Sequence, residues 1–124
     1  IMFAQFKNKG KSFFGLPGNP ISTAACFKFF VYPYLRFILN MKREKPFMAR
    51  LKNNYFKKKN FTKFLKARVS GNKKAILEVE VLKGQESFRI KSFTRANIWS
   101  LFKNGKSFFK KGELIECFKL LDRE

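Results

Sequence analysis

Phe14-Gly15-Leu16-Pro17-Gly18-Asn19-Pro20-Ile21-Ser22 is the stretch on which the reading of the fold turns. It sets two glycines, two prolines and an asparagine between a strand-like apolar run and a long helix-like one. Glycine permits backbone that a Cβ would forbid, and proline fixes φ. Together they specify a rigid strand-to-helix turn. Asn19 is a natural N-cap and Pro20 a natural first helical residue, so the spacing predicts N–H groups pointing outward at a helix start. Such a turn holds an anion without a charged side chain.

Upstream, Met2–Phe6 and Ser12–Phe14 flank the polar turn Lys7-Asn8-Lys9-Gly10-Lys11, a β-hairpin over residues 1–16. A lone hairpin is marginal, so it must belong to a larger sheet. Downstream, residues 20–39 read as a helix whose polar residues Lys28, Tyr32, Arg36 and Asn40 recur every four positions. So thin a polar stripe predicts a helix packed on most sides, kinked at Pro33. A membrane span is set aside: Lys28 and Arg36 would each cost about 2.5–3.5 kcal/mol at the bilayer centre. Residues 41–46 read as a charged linker ending in proline. Beyond it the composition changes to short apolar runs broken by turns. Phe61–Val69 and Ala75–Leu82 around Ser70-Gly71-Asn72 make the clearest hairpin, the second run alternating with the period of a half-buried strand. Asn104-Gly105 marks another turn, and Leu114–Leu121 a closing strand. This spacing predicts a small β-barrel or sandwich.

The chain of 124 residues is one domain's worth of sequence, with 28 Lys and Arg against 8 Asp and Glu, a net charge of +20. A nucleic-acid binder would carry such charge. So would compositional drift, since Lys, Asn, Phe and Ile are raised together; the even spread of basic residues favours drift. The absence of histidine, with only Cys26 and Cys117, excludes Cys/His metal sites and His-based triads. Both cysteines sit in apolar runs and are expected as buried free thiols in a reducing, cytoplasmic setting. The first residues lack a signal-peptide pattern.

Phe14–Ser22, followed by an apolar helix and then Pro33-Tyr34-Leu35-Arg36, resembles the molybdopterin molybdenumtransferase (MoeA and gephyrin E-domain) family. A second resemblance lies downstream: Gln85-Glu86-Ser87-Phe88-Arg89-Ile90-Lys91-Ser92, then Ala96-Asn97, is similar to the family's Gln-Gly-Ser-x-x-Leu-x-Ser and Ala-Asn segments. Lys111-Gly112-Glu113 is similar to its closing Gly-Glu strand. The resemblance implies a C-terminal fragment. Residues 1–45 would be the incomplete end of a molybdopterin-binding, MogA-like α/β domain, a β-hairpin plus long helix. Residues 46–124 would be a small all-β, barrel-like C-terminal domain. It implies insertion of molybdate into adenylated molybdopterin with release of AMP, in a cytoplasmic homodimer that uses Mg²⁺ held elsewhere. Pro17, Gly18, Asn19, Pro20 and Ser22 would border the pterin–phosphate or molybdate site, and Gln85 and Ser87 would approach it from the tail domain.

Departures from the family are specific. The family's Lys-Pro-Gly-Lys-Pro segment, expected immediately before Ile1, and its upstream acidic residues are not in this sequence, and Glu86 replaces a usual glycine; Asp122 is the sole aspartate. Chemistry of this class needs carboxylate-held metal and cations on the phosphates. Glu78 and Glu80 share a strand face but read better as a solvated surface, and no general base has a partner. No catalytic or metal residue is therefore assigned, and the chain alone is expected to be inactive. Trp99 and the phenylalanines read as core. Neither a membrane nor a specific nucleic acid is expected as partner. The rival reading is a basic β-barrel that stacks single-stranded RNA on its aromatics.

Overall fold

The computed structural model describes residues 1–86 and 88–120. The chain divides into two compact units, Ile1–Glu44 and Lys45–Glu124.

In the first unit, β1 (Met2–Phe6) and β2 (Lys11–Gly15) pair antiparallel, Met2 opposite Gly15 and Phe6 opposite Lys11. A helix follows in three parts: α1 (Pro20–Cys26), a π-helical turn (Phe27–Val31) and α2 (Tyr32–Ile38). The sequence predicts a kink at Pro33; the structure widens the helix just ahead of it instead. Proline has no N–H for the carbonyl four residues back and its ring crowds that carbonyl. Tyr32 accordingly donates five residues back, to Phe27, the bond of a π-bulge. The helix ends in a Schellman motif: Asn40, at φ 52°, donates to the Phe37 carbonyl, and Met41 to that of Arg36.

The hairpin meets the helix through aromatic rings. Phe3 and Phe14 lie 4.9 Å apart and Tyr34 lies 5.3 Å from Phe14. The four-residue stripe also closes on itself, with the Lys28 ammonium and the Arg36 guanidinium each 5.4 Å from the Tyr32 ring. Lys28 is buried against Glu44, 2.8 Å away. The expectation of a helix packed on most sides is not met within the described chain. Phe37 is 78% exposed, and Ile21 and Lys28 are the buried residues of this unit, because the hairpin covers one side only.

The second unit is a closed five-stranded barrel in the order β3-β6-β5-β7-β9. Its strands are β3 (Phe47–Leu51), β5 (Lys63–Gly71), β6 (Leu77–Val81), β7 (Ile98–Phe102) and β9 (Leu114–Lys119). Only the β3–β6 seam is parallel, Leu51 opposite Val79. The short strands β4 (Tyr55–Phe56) and β8 (Phe108–Phe109) pair beside it. The predicted hairpin is present, but β5 runs through Gly71 and the turn falls later. Asn72 sets it by accepting from the N–H groups of Lys74 and Ile76, an Asx-type turn that competes with the ladder. The predicted closing strand ends at Lys119; Leu121 and Asp122 lie outside the described residues.

Five strands close around a narrow space, and interior side chains fill it. Small residues (Ala49, Ala67, Ser100, Cys117) alternate there with Leu51, Leu65, Val79, Ile98 and Phe102. Burial pushes the Cys117 thiol up to about 12, whereas Cys26 is half-buried. Iodoacetamide at pH 8 should therefore alkylate Cys26 and spare Cys117, as peptide mass spectrometry would read. Equal labelling of both would mean that the barrel opens freely. Among the described residues no helix is long and apolar enough to cross a membrane.

Candidate functional site

The turn after β2 is held by its own side chains. Asn19 Oδ1 accepts from the N–H groups of Ile21 and Ser22 at 3.1 and 3.4 Å. The Thr23 N–H donates to the Asn19 carbonyl at 2.8 Å, and the Thr23 hydroxyl donates to the Pro17 carbonyl. The sequence predicts donors free for an anion; instead the first helical N–H groups are already bonded. An asparagine N-cap competes with any ligand for the donors it caps. Thr23 is the residue that the sequence reading missed, since a mid-turn threonine carries no distinctive spacing.

What the turn leaves open is Gly18. Its φ is not left-handed, and a Cβ built there would meet nothing within 4 Å. The fold of the described chain makes no demand for glycine at this position. Pro17, Asn19 and Ser22 are half-buried, and Gly18 and Pro20 are exposed.

Gln85, in the second unit, is bound entirely to backbone. Its Oε1 accepts from the Lys66 N–H at 2.9 Å, and its Nε2 donates to the carbonyls of Lys66 and Leu82 at 2.7 and 2.6 Å. Asn97 does the same on the other side of β5, accepting from the Val69 N–H at 2.8 Å and donating to the Val69 carbonyl at 2.9 Å. Each amide stands in for a strand residue, continuing the β6 and β7 ladders where the backbone departs. Two residues of the recognised segments are thus structural. Ser87 lies outside the described residues.

Beneath this segment is a residue that no motif or spacing singles out. Period-two alternation along β5 turns Lys66 to the outer face of the barrel, opposite Trp99 on β7. Residues 82–86 and 88–97, which include α3 (Ile90–Arg95), cover that face; the Phe93 ring lies 5.7 Å from Trp99. Lys66 is 1% exposed. Its ammonium donates to the carbonyls of Gly84, Glu86 and Arg89 at 2.7, 3.2 and 3.3 Å. Burial holds its pKa below that of an ordinary lysine, with Glu86 opposing the shift. The Ser92 hydroxyl reaches the Gly84 and Arg89 carbonyls as well, at 2.6 and 2.9 Å. Gly84 takes φ 74°, and a Cβ there would sit 3.0 Å from Arg89 Cδ, so glycine is required.

Outside the turn lies a cavity of about 560 Å³, bordered by Lys83, Gly84, Phe88, Arg89, Lys91 and Arg95 among others. Four cations border it, Lys83, Arg89, Lys91 and Arg95. Glu86, the departure from glycine, turns its carboxylate to the Arg89 guanidinium at 3.2 Å. The predicted loop and the predicted Gln85 segment belong to different units. Among the described residues no group of three or more Cys, Asp or Glu side chains could hold a metal ion.

Residues 48–120 match the family described as the MoeA C-terminal region (domain IV). Among solved structures, the crystal structure of the molybdopterin biosynthesis MoeA protein from Pyrococcus horikosii is similar, with a TM-score of 0.69 and 28% identity. The match covers 93% of this chain and 28% of that one, so this chain spans under a third of its length. No curated protein sequence matches the chain.

Proposed function

This chain belongs to the MoeA family, through the C-terminal region, and from that premise we propose that it supplies one wall of a site for inserting molybdate into adenylated molybdopterin, with release of AMP. Family membership ties the chain to molybdenum cofactor biosynthesis. The observation that carries the finer reading is the cation-lined cavity at the 83–95 turn, inside the matched region. Phosphate and molybdate are both oxyanions, and lysine with arginine around a concave surface is the chemistry that receives them.

In this reading residues 1–45 are the C-terminal part of a MogA-like, pterin-binding α/β domain, and 46–124 the separate β domain. The open apolar surface of the first unit, with Phe3, Phe6, Phe37 and Leu39 all more than half exposed, supports a larger sheet beside it. Pro17, Gly18, Asn19, Pro20 and Ser22 border the pterin phosphate or molybdate. The open backbone at Gly18 lets a ligand approach closely. Gln85 acts by holding the turn in place, and Ser87 is assigned to the ligand by the family resemblance alone. The described residues do not fit a Mg²⁺ site. The complete site forms in a cytoplasmic homodimer with protein outside this sequence, and the chain alone does not turn over.

A chimaera tests this directly. The matched part of the Pyrococcus MoeA protein is exchanged for this chain, and AMP release from adenylated molybdopterin is followed with molybdate present. The chimaera should release AMP and the isolated chain should not. Gly18→Ala should lower the rate about tenfold while leaving the melting temperature unchanged. A folded chimaera that is inactive beside an active parent would sink the reading.

A further inference from the structure

We propose that the lobe built on β4 and β8 binds single-stranded nucleic acid, without sequence preference, by stacking bases on Phe56 and holding phosphates with the lysines around it. This goes beyond the cofactor reading and does not depend on it.

The lobe comprises residues 54–63 and 103–111, which the backbone ties together. The Lys57 N–H donates to the Ser107 carbonyl and that of Gly105 to the Lys59 carbonyl, both at 2.8 Å. Strand alternation then separates two faces. Tyr55 and Phe109 turn to the barrel core. Phe56 and Phe108 turn outward as a tilted pair in contact, 4.6 Å between centroids and 32° between planes. Phe56 is 71% exposed and Phe61, in the adjoining loop, 58%. An exposed ring braced on one side by a second ring presents its other face to solvent.

Charge identifies the occupant. The two segments hold eight lysines and no carboxylate. Lys103 and Lys106 are paired with Glu116 and Glu113 from β9 and its approach. Lys57 is buried and donates to the Phe61 carbonyl at 2.8 Å, which shapes the 58–61 loop. Lys58, Lys59, Lys110 and Lys111 are exposed, and none is paired with a carboxylate among the described residues. An exposed aromatic face on a lobe that carries four exposed lysines matches a ligand that alternates planar bases with phosphates. An acidic peptide would match the lysines and leave the rings unused. A duplex would hide its base faces.

The test uses the 124-residue chain and a fluorescent twelve-nucleotide oligothymidylate, with an abasic strand of equal length, a duplex and phosphatidylserine vesicles as comparisons. Removal of the bases should weaken binding about tenfold. Phe56→Ala should weaken oligothymidylate binding at least fivefold and leave the abasic strand unchanged, and Phe56→Trp should restore it. Lys58→Gln and Lys59→Gln should each lower the slope of log affinity against log salt by about 0.7 on both single strands. Equal affinity for the abasic strand or the duplex overturns the proposal, leaving charge alone. So does Phe56→Ala that spares oligothymidylate binding but abolishes vesicle binding. The abasic comparison is made on the unmodified chain, so the result stands even where a variant fails to fold.

Discussion

Phe102→Ala should cost the barrel about 3–5 kcal/mol, the larger part of what a small domain has. Phe102 is fully buried at the end of β7, with Tyr55 and Phe109 rings each 4.8 Å away, the second edge-on at 84°. Truncation removes the transfer free energy of the ring and leaves a space that the surroundings must fill. Here they cannot fill it easily. A closed ring of hydrogen-bonded strands fixes the radius of the interior, so the strands cannot move in to fill the space. Phe102→Leu should cost less, about 1–2 kcal/mol, because it keeps most of the volume. The measurement is urea unfolding followed by the emission of Trp99, the one tryptophan, which is 3% exposed on the same strand. Phe56→Ala, at an exposed ring, should stay within about 0.5 kcal/mol of the parent. A Phe102→Ala loss under about 1 kcal/mol would show an interior able to collapse.

That contrast between two phenylalanines marks the limit of the sequence. Composition alone reads the eighteen phenylalanines together as core, yet period-two alternation places Phe109 inside and Phe108 outside one residue apart. Alternation fixes which residues share a face, and only the fold decides which face is covered. The β-rich character of 47–120 and its turns were legible from short runs and turn residues. The closure into a barrel was not, because the parallel β3–β6 seam joins segments about thirty residues apart. At Phe14–Ser22 the strand–turn–helix order and the Asn19 cap were legible. The fate of the capped donors was not, since the residues that make an inviting helix start also satisfy it. Gln85 and Asn97 were visible as part of a recognised pattern. Their role as strand substitutes depends on β5 lying between them, which spacing does not encode.

Lys66 is the sharpest case, one cation among 28 Lys and Arg and fully enclosed. Lys66→Met should destabilise the second unit by about 2–3 kcal/mol, the range of hydrogen bonds to a charged group. Two effects oppose each other. Methionine keeps most of the stem volume and relieves the cost of burying an ammonium, which favours the variant. Against this, three carbonyls converge on the site. Ser92 can still serve those of Gly84 and Arg89, but its single proton serves one at a time, and the Glu86 carbonyl loses its donor. The convergence itself is the deciding point: the turn holds three backbone dipoles toward one cation, and without it they repel. The loss should therefore appear in stability and in the turn together, with faster amide exchange over 83–92 at unchanged exchange in β9. The pH dependence gives an independent sign. Burial lowers the folded pKa of Lys66, so between that value and the unfolded one the unfolded chain binds more protons, and stability rises with pH there. Below the folded pKa the cost of the buried charge is present in full. The parent's advantage over Lys66→Met should accordingly widen as pH rises through the folded pKa toward the ordinary lysine value. A variant as stable as the parent at pH 7, with no such widening, would show that the turn closes by apolar packing and that the lysine is incidental to it.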